Sequence, residues 1–216
     1  MRPFRSLSIA LASLCTLCGL QVTHAAQVYA GAGLSGVHAG YGYKLSDRFS
    51  LRGELAGGLK IKRDGKREGL DYNGEFSTNR AAALVDFYPL AGGLRLTGGL
   101  TANRTRVTLD GRGTNGTVNG KPVNLTGETF QVRLNYPTTT PYIGIGWAHQ
   151  PDASGLGFFA DVGVQIGRFK TEVSTSLVGK FGITQADVDA EAKKVRDSVN
   201  KLSVLPSVSL GLTYGF

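Results

Sequence analysis

The chain has 216 residues, enough for a short leader and one domain, and a formal net charge of +8. That balance excludes an acidic disordered chain and does not by itself imply a nucleic-acid partner. The two cysteines, Cys15 and Cys18, sit close together near the start, and no metal-ligand spacing of Cys or His follows.

The opening MRPFRSLS carries Arg2 and Arg5 and no acid, then IALASLCTLCGLQV is apolar, then THA precedes Ala26. Positive region, apolar region and small residues at Thr23 and Ala25 predict a secretory signal peptide over 1–25 and a mature domain over 26–216. The apolar run is shorter than the roughly 20 residues of a membrane-spanning helix. Leu14 and Leu17 precede the cysteines where a lipoprotein signal wants a small residue. Both cysteines leave with the signal, so the mature domain can form neither disulfide nor thiolate metal site. Its 191 residues keep a charge of +6 and hold no apolar run long enough for a membrane helix.

From there the residues alternate with period two. The expected strands cover about 27–34, 37–45, 49–62, 74–88, 94–107, 138–149, 157–172 and 203–216. In the third, Phe49, Leu51, Leu55, Leu59 and Ile61 share one parity; Arg52, Glu54 and Lys60 share the other. The seventh sets Phe158, Val162, Val164 and Ile166 against Asp161, Gly163 and Gln165. Near the start, Val28, Ala30, Ala32 and Leu34 are even while Val37, Ala39 and Tyr41 are odd, so the phase flips at Ser35-Gly36. A tight turn there gives eight strands and a bulge gives seven; bacterial outer-membrane barrels use even numbers, which favours the turn.

Short connections near 46–48, 89–93 and 150–154 alternate with long ones at 63–73, 109–137 and 173–202. Such sorting suits an outer-membrane barrel, with short turns at the periplasm. A soluble barrel would turn the apolar parity inward. The opposite orientation is favoured by aromatics near the strand ends on the short-turn side (Phe49, Phe87, Trp147, Phe158) and by glycines on the polar parity, where a narrow lumen needs small side chains. The predicted fold is therefore all-β: an eight-stranded antiparallel transmembrane up-and-down barrel.

The last strand, PSVSLGLTYGF, keeps Val208, Leu210, Leu212, Tyr214 and Phe216 on one face up to the final residue. In this ending, and in its strand pattern, the chain resembles the small outer-membrane barrels of the OmpA-like, OmpW-like and opacity-protein-like kind. The resemblance implies that these five residues form the signal read by the barrel-assembly machinery, with periplasmic chaperones as transit partners. Pro206 departs mildly from a central strand.

The inward parity collects Arg52, Glu54, Arg80, Asp86, Arg95 and Asp161, with Lys44, Lys60, Tyr142 and Gln165. Charges in a narrow lumen must pair, so Glu54, Asp86 and Asp161 are expected to bind the three arginines, as filling or as a gate. Arg63, Arg104, Arg106, Arg168 and Lys170 fall on outward parity just beyond the apolar band at the long-loop end. At that height they either meet the phosphates of lipopolysaccharide or are ordinary solvated charges.

In the last long loop Thr184 caps a helix, with Asp187 three residues on. Val188, Ala192, Val195, Val199 and Leu202 make one apolar stripe along it. Asn119-Gly120 is a hairpin tip within 109–129. His38 and His149 are placed at opposite ends of the barrel, no Ser/His, metal, phosphate-loop or dinucleotide motif is legible, and the glycines alternate along strands. No cofactor is expected. The functional expectation is a non-enzymatic integral outer-membrane protein serving envelope structure, surface interaction or limited small-molecule passage; the alternatives are a lipid A-modifying enzyme and a soluble lipid-binding barrel.

Overall fold

The computed structural model describes residues 25–67, 70–90, 92–112, 116–148, 154–199 and 203–216. The expected signal, apart from Ala25, and His149 and Leu202 lie outside the described residues. The strands are β1 (Ala26–Gly33), β2 (Gly36–Lys44), β3 (Phe49–Arg67), β4 (Leu70–Phe87), β5 (Leu94–Asn103), β6 (Arg106–Arg112), β7 (Gly116–Val118), β8 (Lys121–Val123), β9 (Phe130–Asn135), β10 (Thr139–Ala148), β11 (Gly155–Ile166), β12 (Lys170–Thr175) and β13 (Val204–Gly215); one helix, α1, spans Gln185–Val199.

Eight of these strands close into an antiparallel ring in the order β1-β2-β3-β4-β5-β10-β11-β13, with β13 pairing back onto β1. The phase flip near Ser35 is a hairpin: Gly33 pairs with Gly36, leaving Leu34 and Ser35 as the loop. Gly36 has φ +95°, which few side-chain-bearing residues adopt. A closed ring leaves no free backbone edge in the region it encloses, as a hydrocarbon surround demands.

β4 shows how the sequence reads its surroundings. Its outward residues run Phe87, Val85, Ala83, Ala81, then Asn79, Ser77, Glu75. Its inward residues run Asp86, Leu84, Ala82, Arg80, Thr78, then Phe76. One parity thus changes from apolar to polar while the other does the reverse, without any break in the strand. Against lipid the outer face must be oily; above it, with water outside, the ordinary oily-inside rule returns. The change at Ala81/Asn79 marks the lipid boundary on this strand. At the other end Phe49 stacks near Phe87 (centroids 5.1 Å) and Trp147 near Phe158 (4.7 Å), giving an aromatic girdle.

The long connections hold more structure than irregular loops. Over 63–73, β3 and β4 simply continue past the ring. The 109–137 stretch contains the remainder of β6, the β7–β8 hairpin and β9, and the 173–202 stretch contains the end of β12 and α1. The upper parts of β3 and β4 pair on with β6, β9 and β12 as a five-stranded sheet rising over one side of the barrel. Pro206 is accommodated because it lies above the end of β1, so only β11 neighbours it, through Val164.

One parity expectation fails at a bulge. The β3–β4 register shifts between Ala56 and Leu59, at Gly57-Gly58, with Gly58 at φ +82°. An extra residue flips every later side chain to the other face. Lys60, expected in the lumen, therefore points outward with Glu75 at 2.9 Å. Arg63, expected outward, turns to the face shared by Phe76 and Thr78, away from Arg104 and Arg106.

Candidate functional site

The lumen is filled by a polar network supplied by β3, β4, β5 and β11. Strand alternation alone aims these groups inward. Arg52 Nε lies 2.6 Å from Asp86 Oδ2, and its Nη1 is 3.3 Å from Asp161 Oδ2. Arg95 donates from Nε and Nη2 to Asp161 at 3.1 and 2.8 Å, and its Nη1 is 3.8 Å from Asp86. Arg80 binds Glu54 and donates to Ser207 Oγ at 3.1 Å. Thr97 donates to Asp86 at 2.7 Å and Tyr29 to Glu54 at 3.2 Å. The guanidiniums of Arg52 and Arg80 also lie over the Tyr29 and Tyr142 rings, at 5.5 and 5.9 Å.

All six expected lumen charges thus meet, three cations against three anions. Exposures of 2% for Arg52, 0% for Asp86 and 1% for Arg95 place the centre of the network out of contact with solvent. Above it Thr101, Asn103, Thr140 and Gln165 form a second bonded layer. Sequence parity missed the aromatic lining of Tyr29 and Phe159, whose rings meet edge-on at 5.4 Å with His38 beside them. Tyr29 was legible on the inward parity of β1; Phe159 was hidden inside an unbroken apolar run. Lys44 sits at the rim, 3.1 Å from Asp47.

Above the barrel the two longest connections fold on each other as a cap. Val118, Val123 and Leu125 pack with Leu177, Ile183 and Val188 in a small dry core, and Phe130 and Val173 of the sheet lean against it. The hairpin tip is Asn119-Gly120, with φ of 51° and 80°, the turn expected there. Thr184 and Asp187 form the reciprocal cap: Thr184 N–H donates to Asp187 Oδ2 (2.9 Å) and Asp187 N–H to Thr184 Oγ1 (3.3 Å). Asp187 also receives Lys121 Nζ at 2.7 Å and Asn119 Nδ2 at 3.0 Å, so one carboxylate caps a helix and ties it to the opposite loop. Those bonds, Lys121 first, hold its carboxyl well below the usual carboxylate range. Lys180 and Ser176 likewise lower Glu128. The helix stripe, at Val188, Ala192, Val195 and Val199, turns to its own protein: Val188 is buried and the other three half-buried, and the helix packs along β12 and β7.

Arg104 and Arg106 project outward just above the apolar belt, and Arg168 and Lys170 are exposed on the β11–β12 continuation. Val208, Leu210, Leu212, Tyr214 and Phe216 all face outward and are between 41% and 64% exposed. Among the described residues no group of three or more His, Cys, Asp or Glu could hold a metal ion.

A closed eight-stranded ring, oily outside, salt-bridged inside and aromatic at one rim, is the architecture of the small outer-membrane β-barrels. Solved structures similar to this chain include CarO of Acinetobacter baumannii (21% identity, TM-score 0.57, covering 88% of this chain and 97% of that one). CarO2 of the same organism matches with 18% identity and a TM-score of 0.59, over 89% and 98% of the two chains. A major outer membrane protein of Thermus thermophilus matches at 15% identity and a TM-score of 0.43, over 89% and 99%. No protein-family model and no curated protein matches the chain.

Proposed function

We propose that this chain is an integral protein of the outer membrane that neither catalyses a reaction nor conducts, and that it acts through its outer surface and its capped extracellular sheet. The observation that carries this reading is the balanced Arg52–Asp86–Asp161–Arg95 plug, whose members are almost wholly excluded from solvent. A pathway for solutes through the middle would need that network dismantled, at a cost of several kcal/mol per unpaired buried charge. The ordered cap supports a surface role, since its two loops are tied by buried apolar contacts and charge-assisted bonds. Its assembly partners are the barrel-assembly machinery and periplasmic chaperones, and the phase around it is outer-membrane lipid with lipopolysaccharide.

Planar-bilayer recordings test this directly. The wild-type chain is expected to give no conductance steps, and Arg80→Ala to give at most small, flickering ones. Steady, ion-selective steps from the wild type would overturn the reading. Mass spectrometry of lipid A from cells with and without the protein tests the enzymatic alternative, and an unchanged spectrum is expected.

A further inference from the structure

The barrel wall carries two contiguous recesses where the apolar belt ends. The lower, about 470 Å³, is bordered by Leu55, Ala81 and Ala102. The upper, about 510 Å³, is bordered by Ser77, Arg106 and Asn135, and the two share Asn79 and Arg104. Leu55, Asn79, Ala102, Arg104 and Arg106 border them on the exposed outward parity, and the buried Ala56, Arg80, Asn103, Thr105 and Tyr136 border them from within the wall. Ala81 and Ala102 are a cross-strand pair, so two adjacent strands together leave a shallow trough between larger neighbours such as Leu55 and Leu100.

The upper recess is bordered by two guanidiniums and by hydroxyl and amide side chains, with no carboxylate among its bordering residues. Arg106 spends its Nε on Asn135 Oδ1 (3.0 Å), which leaves both Nη groups and the Asn135 amide N–H free to donate. Asn79 Oδ1 accepts from Gly58 N–H (3.4 Å). Neither Arg104 nor Arg106 has a carboxylate partner among the described residues, whereas nearby Lys60 and Lys62 share Glu75. Arg104, on the two-residue link that joins β5 to β6, and Arg106 at the start of β6 leave the backbone on the same side of buried Thr105 about 7 Å apart, a span that one tetrahedral oxyanion and its hydrogen bonds can bridge.

We propose that this recess holds a phosphorylated lipid of the surrounding leaflet, its phosphate between Arg104 and Arg106 and an acyl chain along the Ala81–Ala102 trough. The inference rests on the outer-membrane reading above. Height selects the ligand: the cationic half begins on the strand position directly after the last oily one, where a headgroup meets its chains.

Native mass spectrometry of the chain refolded in detergent tests this, with bis-phosphorylated lipid A, dephosphorylated lipid A, phosphatidylglycerol and inorganic phosphate as probes. At least one phosphorylated lipid is expected to bind one-to-one, tighter than dephosphorylated lipid A and than inorganic phosphate; comparing the two lipids identifies the source of the phosphate. Arg104→Gln with Arg106→Gln should weaken that binding at least about tenfold, the loss expected for charge-assisted bonds. Ala102→Phe, which fills the trough, should weaken lipid binding without changing inorganic phosphate. Retained wild-type affinity in the double glutamine variant, or equal binding of the dephosphorylated lipid or of free phosphate, would overturn the proposal. A heat-dependent gel shift verifies folding, and if the glutamine pair fails to show it, Arg104→Gln and Arg106→Gln are tested singly, each expected to weaken binding several-fold, with wild-type affinity in both overturning the proposal. Failure of the wild type to fractionate with outer membranes would refute the location and leave the binding result standing on its own.

Discussion

Arg52 on β3 reaches Asp161 on β11 at 3.3 Å, and β11 stands directly across the eight-stranded ring. The same guanidinium holds Asp86 on the adjacent strand β4 at 2.6 Å. One side chain thus ties near and far walls together, and Arg95 ties Asp161 back to β5 at 2.8 Å.

Removing Arg52 alone leaves two cations against three anions in the lumen and takes from Asp86 its 2.6 Å partner. Arg52→Ala is expected to destabilise the barrel by about 3–5 kcal/mol, read as a lower urea midpoint in detergent. Arg52→Met with Asp86→Leu leaves Arg95–Asp161 and Arg80–Glu54 balanced, so the double variant should recover most of that loss. A double variant as unstable as Arg52→Ala would show that the charges do not act as a paired set.

Gly36 combines backbone strain with crowding. Its φ is +95°, and an added Cβ would lie 2.2 Å from the Gly57 carbonyl oxygen. Gly36→Ala should therefore cost about 1–3 kcal/mol. Gly98→Ala, on the lipid-facing parity with nothing within 4 Å of its added Cβ, should stay within about 0.5 kcal/mol of wild type. Urea unfolding of the two variants side by side checks the pair.

The barrel was legible because lipid imposes one rule on every strand it touches, and a strict period of two survives into the sequence. That rule aimed Arg52, Glu54, Arg80, Asp86, Arg95 and Asp161 at one space from spacing alone. It failed at Gly57-Gly58. Beyond that bulge Leu59, Lys60, Ile61 and Lys62 still alternate, so the pattern looks unbroken while the faces have exchanged. The extracellular sheet was hidden for a related reason. RVTLDGR and FQVRLN alternate, but glycines and threonines flank them, and water on the outer side removes the contrast that marks a lipid-facing strand. Thr184 and Asp187 announced the helix start, whereas Lys121 lies 66 residues from Asp187, beyond any local signal.

The cap carries a pH dependence with a definite sign. Asp187 has its carboxyl lowered, chiefly by Lys121, so its contribution is fully present above the unfolded carboxylate value of about 3.9 and fades as pH falls below it. Protection of the 176–183 segment against an acid-active protease should hold at neutral pH and drop only below about pH 4. Asp187→Asn should loosen the cap at every pH and shrink the acid step to the part contributed by Glu128, which Ser176 and Lys180 hold, while the heat-dependent gel shift of the barrel stays unchanged. An acid step of undiminished size in Asp187→Asn would assign it to Glu128 instead.

The terminal strand separates folding from assembly. Phe216 is 61% exposed on the lipid face, and its backbone bonds to Ala26 at 3.0 and 3.2 Å do not depend on its ring. Phe216→Ala should therefore change unfolding in detergent by less than about 1 kcal/mol, because little protein packing is lost. Under the proposed recognition of this strand's outward row by the barrel-assembly machinery, the same substitution in cells should reduce the folded, heat-modifiable form several-fold. Tyr214→Ala and Leu212→Ala should follow in that order with smaller losses. Equal effects in detergent and in cells would mean that the ring stabilises the barrel itself, and the role of Phe216 as a recognition element would be lost.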